Sequence, residues 1–504
     1  MGSGIVKNNR ALMGLAVLLL LTVVCVVVQS YDKGYIKVNS DKTNNIKEKV
    51  NKKIPAVTES VSDNKNENDS DSKAVSKQII NKNSPKNKYR INPDVRVLIN
   101  TTGYKSLFHD KISIKCSGAF EVLSGKKIKK YKGGKTVVFN LKDRSLKKGK
   151  IQVRSCSDSR LQVMSVKRQE GYPLYRGSLE IVRNKKGLLL KNIVPLEKYL
   201  YGVLPSEMPV NNNMNALEAQ AVCARSFTYN QLHSGRYDKY GADLDDSVSC
   251  QVYNNIREDK RAVKAVDNTE NIVMLTGSGK IAVGYYFATS WGCTADGQSV
   301  WNTKKPVTYL KGKLQITENS NNKKVADKNN LSDEKNFKKF ISKDVYDTYD
   351  SKDEWYRWKV IFSKSTLQKR IDSSVGKIKS IRVGKRDKSG LVTELVIIGS
   401  KRVKKVRGQY NVRKILAPVN EKIKRKNGST VEGFSLLPSA AFYIEKMKNG
   451  GKESFMISGG GFGHGTGMSQ TGAASMAAAG FDYEAILMHY FDGIKTGDIS
   501  KACF

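Results

Sequence analysis

Two short blocks, far apart in the chain, hold the residue types that a groove enzyme acting on a polymer would need. The first, Leu204-Pro205-Ser206-Glu207-Met208-Pro209, sets one carboxyl between two prolines and two apolar neighbours. The prolines stiffen the backbone, and a carboxyl held against apolar groups loses solvation of its charged form. Its pKa then rises, so that Glu207 keeps a proton near neutrality and can act as a general acid. A surface glutamate in a turn, or a residue at a helix entry, is the plain alternative. In the second block, running from Gly459 to Gln470, glycines at 459, 460, 461, 463, 465 and 467 strip side chains from around Phe462, His464 and Thr466. That pattern suits a backbone that bends sharply or approaches a ligand closely. His464 and Gln470 can donate and accept hydrogen bonds, as recognition of sugar hydroxyls and N-acetyl groups requires. A buried histidine in a tight β-corner is the alternative here. No lysine follows these glycines, which argues against a nucleotide phosphate loop.

The elements that must position these blocks are legible as periodicities. Alternation of apolar and polar residues predicts strands at Val95 to Ile99, Lys111 to Cys116, Thr136 to Phe139 and Lys150 to Arg154, a small β-rich module with one wet face. Gly177 to Val182 and Gly187 to Lys191 read as a strand pair around the turn Asn184-Lys185-Lys186-Gly187 and lead straight into the first block. From about Asn213 to Leu232, Met214, Leu217, Ala221, Ala224 and Thr228 fall on one helical stripe, with Glu218 and Arg225 beside it. Further strands are expected at Ile281 to Ala288, Ile378 to Gly384 and Leu391 to Ile398. The chain closes with helices at about Met468 to Ala479 and Tyr483 to Tyr490. The fold class is therefore α+β: a β-rich body with a few packed helices. Its boundaries fall at 93–175 for the module and 176–504 for the core, with a polar inserted segment at about 315–350.

The first hundred residues bound where this body works. Ala11 to Val28 is apolar except for Thr22 and follows Lys7 and Arg10, near the minimum needed to span a bilayer. We expect an uncleaved, single-pass anchor at 11–28, residues 1–10 cytoplasmic and the rest outside the cell membrane. Residues 29–92, rich in Lys, Asn, Asp and Ser, read as a disordered tether. Lys and Arg number 88 against 47 Asp and Glu, a formal charge of +41. Outside the cell such an excess favours loose attraction to wall polymers or anionic headgroups and not to nucleic acid. Six cysteines lie beyond the anchor, none in a C-x-x-C pair, so neither a redox pair nor a zinc ribbon is suggested.

Taken together, several motifs in one order resemble the stage II sporulation protein D family, which also includes amidase enhancers. They are Val194-Pro195-Leu196-Glu197-Lys198-Tyr199-Leu200-Tyr201-Gly202-Val203 into the Glu207 block, Gln220-Ala221-Val222-Cys223-Ala224-Arg225-Ser226, Cys250-Gln251-Val252-Tyr253, and Gly463 to Gln470. The resemblance covers about Pro93 to Lys501. It implies a membrane-anchored peptidoglycan lytic transglycosylase that cleaves glycan strands stripped of stem peptides, with a role in sporulation and engulfment. It places Glu207 at the catalytic position and Arg225 at that of a groove arginine, with Gln220, Gln251, Ser290, His464 and Gln470 lining the groove. Some relatives bind zinc through a Cys and a His-Cys pair before the Gln-Val-Tyr motif. Here Asp245-Asp246-Ser247-Val248-Ser249-Cys250 keeps one thiol and has Ser249 in place of the histidine, so no metal or other cofactor is expected unless Cys293 approaches.

A transglycosylase needs only one carboxyl: Glu207 would protonate the bridging oxygen between N-acetylmuramic acid and N-acetylglucosamine, then take the proton of the sugar's own C6 hydroxyl as a 1,6-anhydro ring closes. Its partners would be glycan strands, other cell-wall hydrolases and membrane proteins of sporulation. Arg225 raises a tension, since a guanidinium too close to Glu207 would lower its pKa and oppose the acid role. Two other readings stand beside it: a non-catalytic amidase enhancer that binds wall glycan would keep the same motifs, and a polyanion-binding tether protein is supported only by the charge of +41.

Overall fold

The computed structural model describes residues 89–147, 149–169, 171–255, 257–317, 330–342 and 347–503. The expected anchor at 11–28 and nearly all of the tether lie outside these residues. Among the described residues no helix is long and apolar enough to cross a membrane.

The alternating segments form two sheets. In the larger, seven strands run in the order Leu244–Asp245, Asp94–Leu98, Gly187–Pro195, Ser178–Asn184, Ile151–Ser155, Phe120–Ser124 and Lys127–Tyr131. Thr136–Asn140, Lys111–Cys116, Leu161–Val163 and Leu174–Tyr175 make the smaller. Val97, Ile112, Ile114, Val153, Leu179 and Ile181 meet in a core closed to water, as period-two patterning requires. Gly187 pairs with Asn184 across a turn of Lys185 and Lys186, so the expected hairpin forms. The line drawn at 175/176 crosses the larger sheet: strands from both sides of it are hydrogen-bonded neighbours, because Ser178–Asn184 needs Ile151–Ser155 to satisfy its outer edge.

Strand Gly187–Pro195 runs directly into the helix Leu196–Glu207, and a second helix, Met214–Gln231, follows after a short turn. Asn213 caps the second helix by accepting a hydrogen bond from the Asn215 N–H. Every residue from Ala216 to Tyr229 is buried, with Lys260–Asn268, Gln470–Ala478 and Tyr483–Tyr490 packed around it. Small residues allow this on all sides: Gly284 approaches so near that a Cβ there would stand 2.3 Å from the Cys223 carbonyl oxygen.

Between Phe287 and Met468 the chain makes an excursion with its own core around Trp291, Phe337, Phe340 and Leu391. It carries a five-stranded sheet, in the order Thr430–Val431, Ile423–Arg425, Trp358–Ser363, Lys452–Gly459 and Phe442–Asn449, and a three-stranded sheet from Ile378–Arg386 to Val403–Arg407. The chain then returns. Met468–Ser469 pairs in parallel with Tyr286–Phe287, and Lys495–Asp498 pairs antiparallel with Ile272–Leu275. The architecture is α+β, as expected. Two elements differ: the strand expected at Ile281 to Ala288 shrinks to Tyr286–Phe287, and the helix expected from Met468 begins at Gln470 after a two-residue strand. The second difference comes from the glycine loop, which spends Met468 and Ser469 on pairing with Tyr286 and Phe287.

Candidate active site

Glu207 is the last residue of a helix, not part of a turn. Pro205 sits in its final turn, where a missing N–H costs one hydrogen bond and helps end the helix. A carboxylate at a helix C-terminus faces the negative pole of the backbone dipoles, which disfavours its charge. The side chain is partly buried. The Val252 N–H donates to its Oε1 at 2.5 Å, and the Tyr286 hydroxyl also hydrogen-bonds to it. Burial raises its pKa to about 7, while these two hydrogen bonds act in the opposite direction. Desolvation wins, and Glu207 is poised to exchange a proton near neutrality.

The network behind it comes from three segments. Gln251 donates to the Tyr286 hydroxyl at 3.3 Å, and its own carbonyl accepts from Thr228 at 2.9 Å and Tyr199 at 3.3 Å. Gln470 donates to the Glu207 backbone carbonyl at 3.0 Å and to the Gln220 side chain at 3.3 Å. The glycine loop thus reaches the carboxyl-bearing segment. His464 Nδ1 accepts from the Thr466 N–H at 3.2 Å, and the ring also bonds the Tyr286 backbone. Burial, then the charge of Arg413, pushes its pKa down to about 3, so the imidazole is neutral. Its ring is packed 5.0 Å from that of Trp301 and 5.6 Å from that of Phe287. Trp301 is 38% exposed and also lies 4.9 Å from Tyr285, which gives the loop an aromatic outer face. The loop needs its glycines: at Gly467, with φ +78°, a Cβ would fall 2.1 Å from the Tyr285 carbonyl oxygen and force apart the strands that fix Tyr286.

The expected groove residues therefore divide. Gln470 and His464 are partly exposed at the site, whereas Arg225, Gln220, Gln251 and Ser290 are buried. Arg225 departs most from expectation. Its guanidinium is fully enclosed, bidentate to Glu197 at 2.8 and 2.7 Å, and bonded to Thr269 and to the Ile272 and Val266 carbonyls. It braces three segments and does not line a groove. Because it is absent from the groups acting on Glu207, the tension over its charge disappears. Ser290 is likewise internal. Its N–H and hydroxyl both go to Asp350, which also accepts from Ser469 at 2.5 Å and Thr471 at 2.7 Å. Gln220 and Gln251 support, from inside, the groups that reach Glu207.

Sequence reasoning missed Tyr286, Glu197 and Asp350. The pairing of buried Glu197 with Arg225 had a signal, since two opposite charges in otherwise apolar helices seek each other; Tyr286 and Asp350 had none. The six cysteines beyond the anchor are free thiols. Cys250 lies 4.0 Å from the Tyr237 hydroxyl, and among the described residues no three His, Cys, Asp or Glu side chains gather as a metal site would need.

Residues 184–275, which hold the Glu207 helix, the alanine-rich helix and the Gln-Val-Tyr segment, match the family model described as Stage II sporulation protein. Residues 295–467, most of the excursion, match a domain of unknown function. Through this segment the chain is similar to the stage II sporulation protein D family. It is 29% identical over 350 residues to the stage II sporulation protein D of Bacillus amyloliquefaciens, a match covering 66% of this chain and 78% of that one. An uncharacterised protein of Brachyspira hyodysenteriae is 29% identical over 339 residues, 66% of this chain and 76% of the relative. The amidase enhancer of Bacillus subtilis is 28% identical over 313 residues, 58% of this chain but only 39% of that protein. A relation to sporulation proteins and to an amidase enhancer is thus established on the chain itself.

Proposed function

We propose that this protein is a membrane-anchored lytic transglycosylase, cleaving the bond between N-acetylmuramic acid and N-acetylglucosamine in peptide-stripped glycan strands. The observation that carries this reading is Glu207: one partly exposed carboxyl with a pKa of about 7, held by an N–H and a tyrosine hydroxyl, with no second carboxylate among the groups acting on it. A glycosidase that uses water needs two carboxyl groups to handle the acid and the water or nucleophile. A single shuttling acid suits intramolecular closure. Protonated Glu207 gives its proton to the bridging oxygen as the bond to the muramic anomeric carbon breaks. Tyr286 and the Val252 N–H then stabilise the carboxylate formed. That carboxylate takes the proton of the muramic C6 hydroxyl while O6 bonds to the anomeric carbon, and Glu207 ends protonated as it began. The face of Trp301 beside His464 suits an apolar sugar face.

The test is product analysis of peptide-free strands incubated with the full-length protein. We expect 1,6-anhydro-muramyl ends from the wild type and none from Glu207→Gln. The similarity to an amidase enhancer favours a second reading, a non-catalytic glycan binder. Strand binding without anhydro ends, unchanged by Glu207→Gln, would decide for it.

A further inference from the structure

A cavity of about 330 Å³ opens beside the Glu207 network, lined by Arg168, Arg257, Asn254, Asn255, Gln162 and Tyr172 among others, and no acidic residue lines it. We propose that this cavity is a subsite for a carboxylate on the glycan strand, the free lactyl carboxylate of a muramic residue next to the cleaved bond. The proposal rests on the transglycosylase reading and assigns it a specificity determinant.

Four observations converge on it. The cavity is tied to the candidate acid by the chain itself: Val252 donates to Glu207, and two residues on, at most about 7 Å along the chain, the Asn254 N–H donates to Ser206 at 3.1 Å. The Tyr104 hydroxyl, close enough to feel the charge of Glu207, donates to Asn254 Oδ1, which leaves the Asn254 NH2 as a donor. Arg168 gives its other N–H groups to Asp246 and to backbone carbonyls, but its Nε–H is buried with no acceptor. A buried donor left unpaired marks a place where a water or a ligand completes the bond. Arg257 is exposed at the cavity and makes no ion pair among the described residues, so it is the uncompensated charge there. Finally, the backbone at the wall and just behind it is strained. Asn255, which lines the cavity, and Tyr104, which bonds the lining Asn254, hold φ of +51° and +54°. For a bulky residue such as tyrosine that region is a genuine outlier. Strain of about 1–3 kcal/mol per residue is retained where the surroundings over-determine a functional geometry.

A ligand for such a cavity is small, anionic and rich in acceptors. A stem peptide is attached through the lactyl carboxyl as an amide, which removes the charge and adds bulk. A cavity that pairs the free carboxylate with Arg257 therefore selects bare strands.

The test uses the full-length protein carrying Glu207→Gln, so that strands bind without being cut. Three ligands are compared: peptide-free glycan, the same glycan with its carboxylates converted to methylamides, and chitin oligomers. We expect the free-carboxylate strands to bind about tenfold more tightly than the other two, the scale of one hydrogen-bonded charge. Adding Arg257→Gln should remove that preference and leave the weaker binding intact. A preference that survives Arg257→Gln, or no preference at all, overturns the subsite. Phosphate is the other anion with this chemistry: if teichoic acid competes in an Arg257-dependent way and free N-acetylmuramic acid does not, the carboxylate assignment is overturned. The two readings fail separately. A wild-type chain that makes no anhydro ends yet shows the Arg257-dependent preference loses the catalytic reading and keeps the subsite.

Discussion

Glu207 concentrates the conflict between stability and chemistry in one side chain. Burial holds its folded-state pKa near 7, against about 4.5 for an ordinary glutamate. Between those values the native state keeps a proton that the unfolded chain has released, so stability falls as pH rises through that window. The shift corresponds to about 3 kcal/mol once both states are ionised. Asp353, raised to about 6 by burial, adds to the same slope. Glutamine at 207 cannot ionise, so Glu207→Gln should be about 3 kcal/mol more stable than wild type at pH 8, with most of that gain gone at pH 5. Denaturant unfolding at the two pH values measures it; equal stabilities at pH 8 would mean that the carboxyl is not desolvated. Tyr286 acts in the opposite sense, because its hydroxyl supports the carboxylate. Tyr286→Phe should move the alkaline limb of the activity profile to higher pH by about half a unit to one unit, since Glu207 would then hold its proton longer. A limb that moves down, or not at all, would remove Tyr286 from the network.

At the scale of elements, the buried charges serve as braces, and their loss should read as lost stability. Removing Glu197 strands the enclosed Arg225 guanidinium between the first two helices and the Ile272–Leu275 strand. Glu197→Ala should therefore cost about 3–5 kcal/mol, whereas the pair change Glu197→Leu with Arg225→Met should recover most of it, as measured by chemical denaturation. If the double variant recovers nothing, the bracing role is wrong. Asp350 does comparable work for the helix Gln470–Ala478. It gathers Ser290, Ser469 and Thr471, and Ser469 caps that helix through the Gly472 N–H. The helix begins with Gln470, which reaches Glu207, so Asp350→Ala should lower turnover without moving the pH limb that belongs to Glu207. How much of this was legible follows the same division. The alanine-rich helix and the Tyr483–Tyr490 helix were readable because small or apolar residues recur at helical spacing. The helix ending on Glu207 was not, because Pro205 in its last turn and Pro209 just beyond it mimic a turn. Nor could sequence tell that Gln220, Gln251, Ser290 and Arg225 are buried. A helix enclosed on every side has no wet face, and a polar residue that lines a groove looks, in sequence, like one satisfied inside.

For the whole molecule, the deciding feature is that the surface charge and the carboxyl proposed to do the chemistry occupy different places. The formal charge of +41 is spread over exposed runs such as Lys127–Tyr131 and Val403–Arg407, while Glu207 works in a desolvated setting with a neutral histidine nearby. Exposed charges are screened over about 8–10 Å at moderate ionic strength, and buried ones far less. Attachment to a polyanionic wall and the chemical step should therefore respond differently to salt. Raising the salt from about 50 to 500 mM should release the full-length protein from sacculi carrying anionic polymer, in the manner of counterion release. Over the same range, turnover per bound molecule on peptide-free strands at saturating concentration should change by less than about twofold. A parallel loss of both would make the basic surface part of the catalytic groove. Salt-insensitive attachment would instead assign wall binding to the aromatic face at Trp301 and to the groove itself.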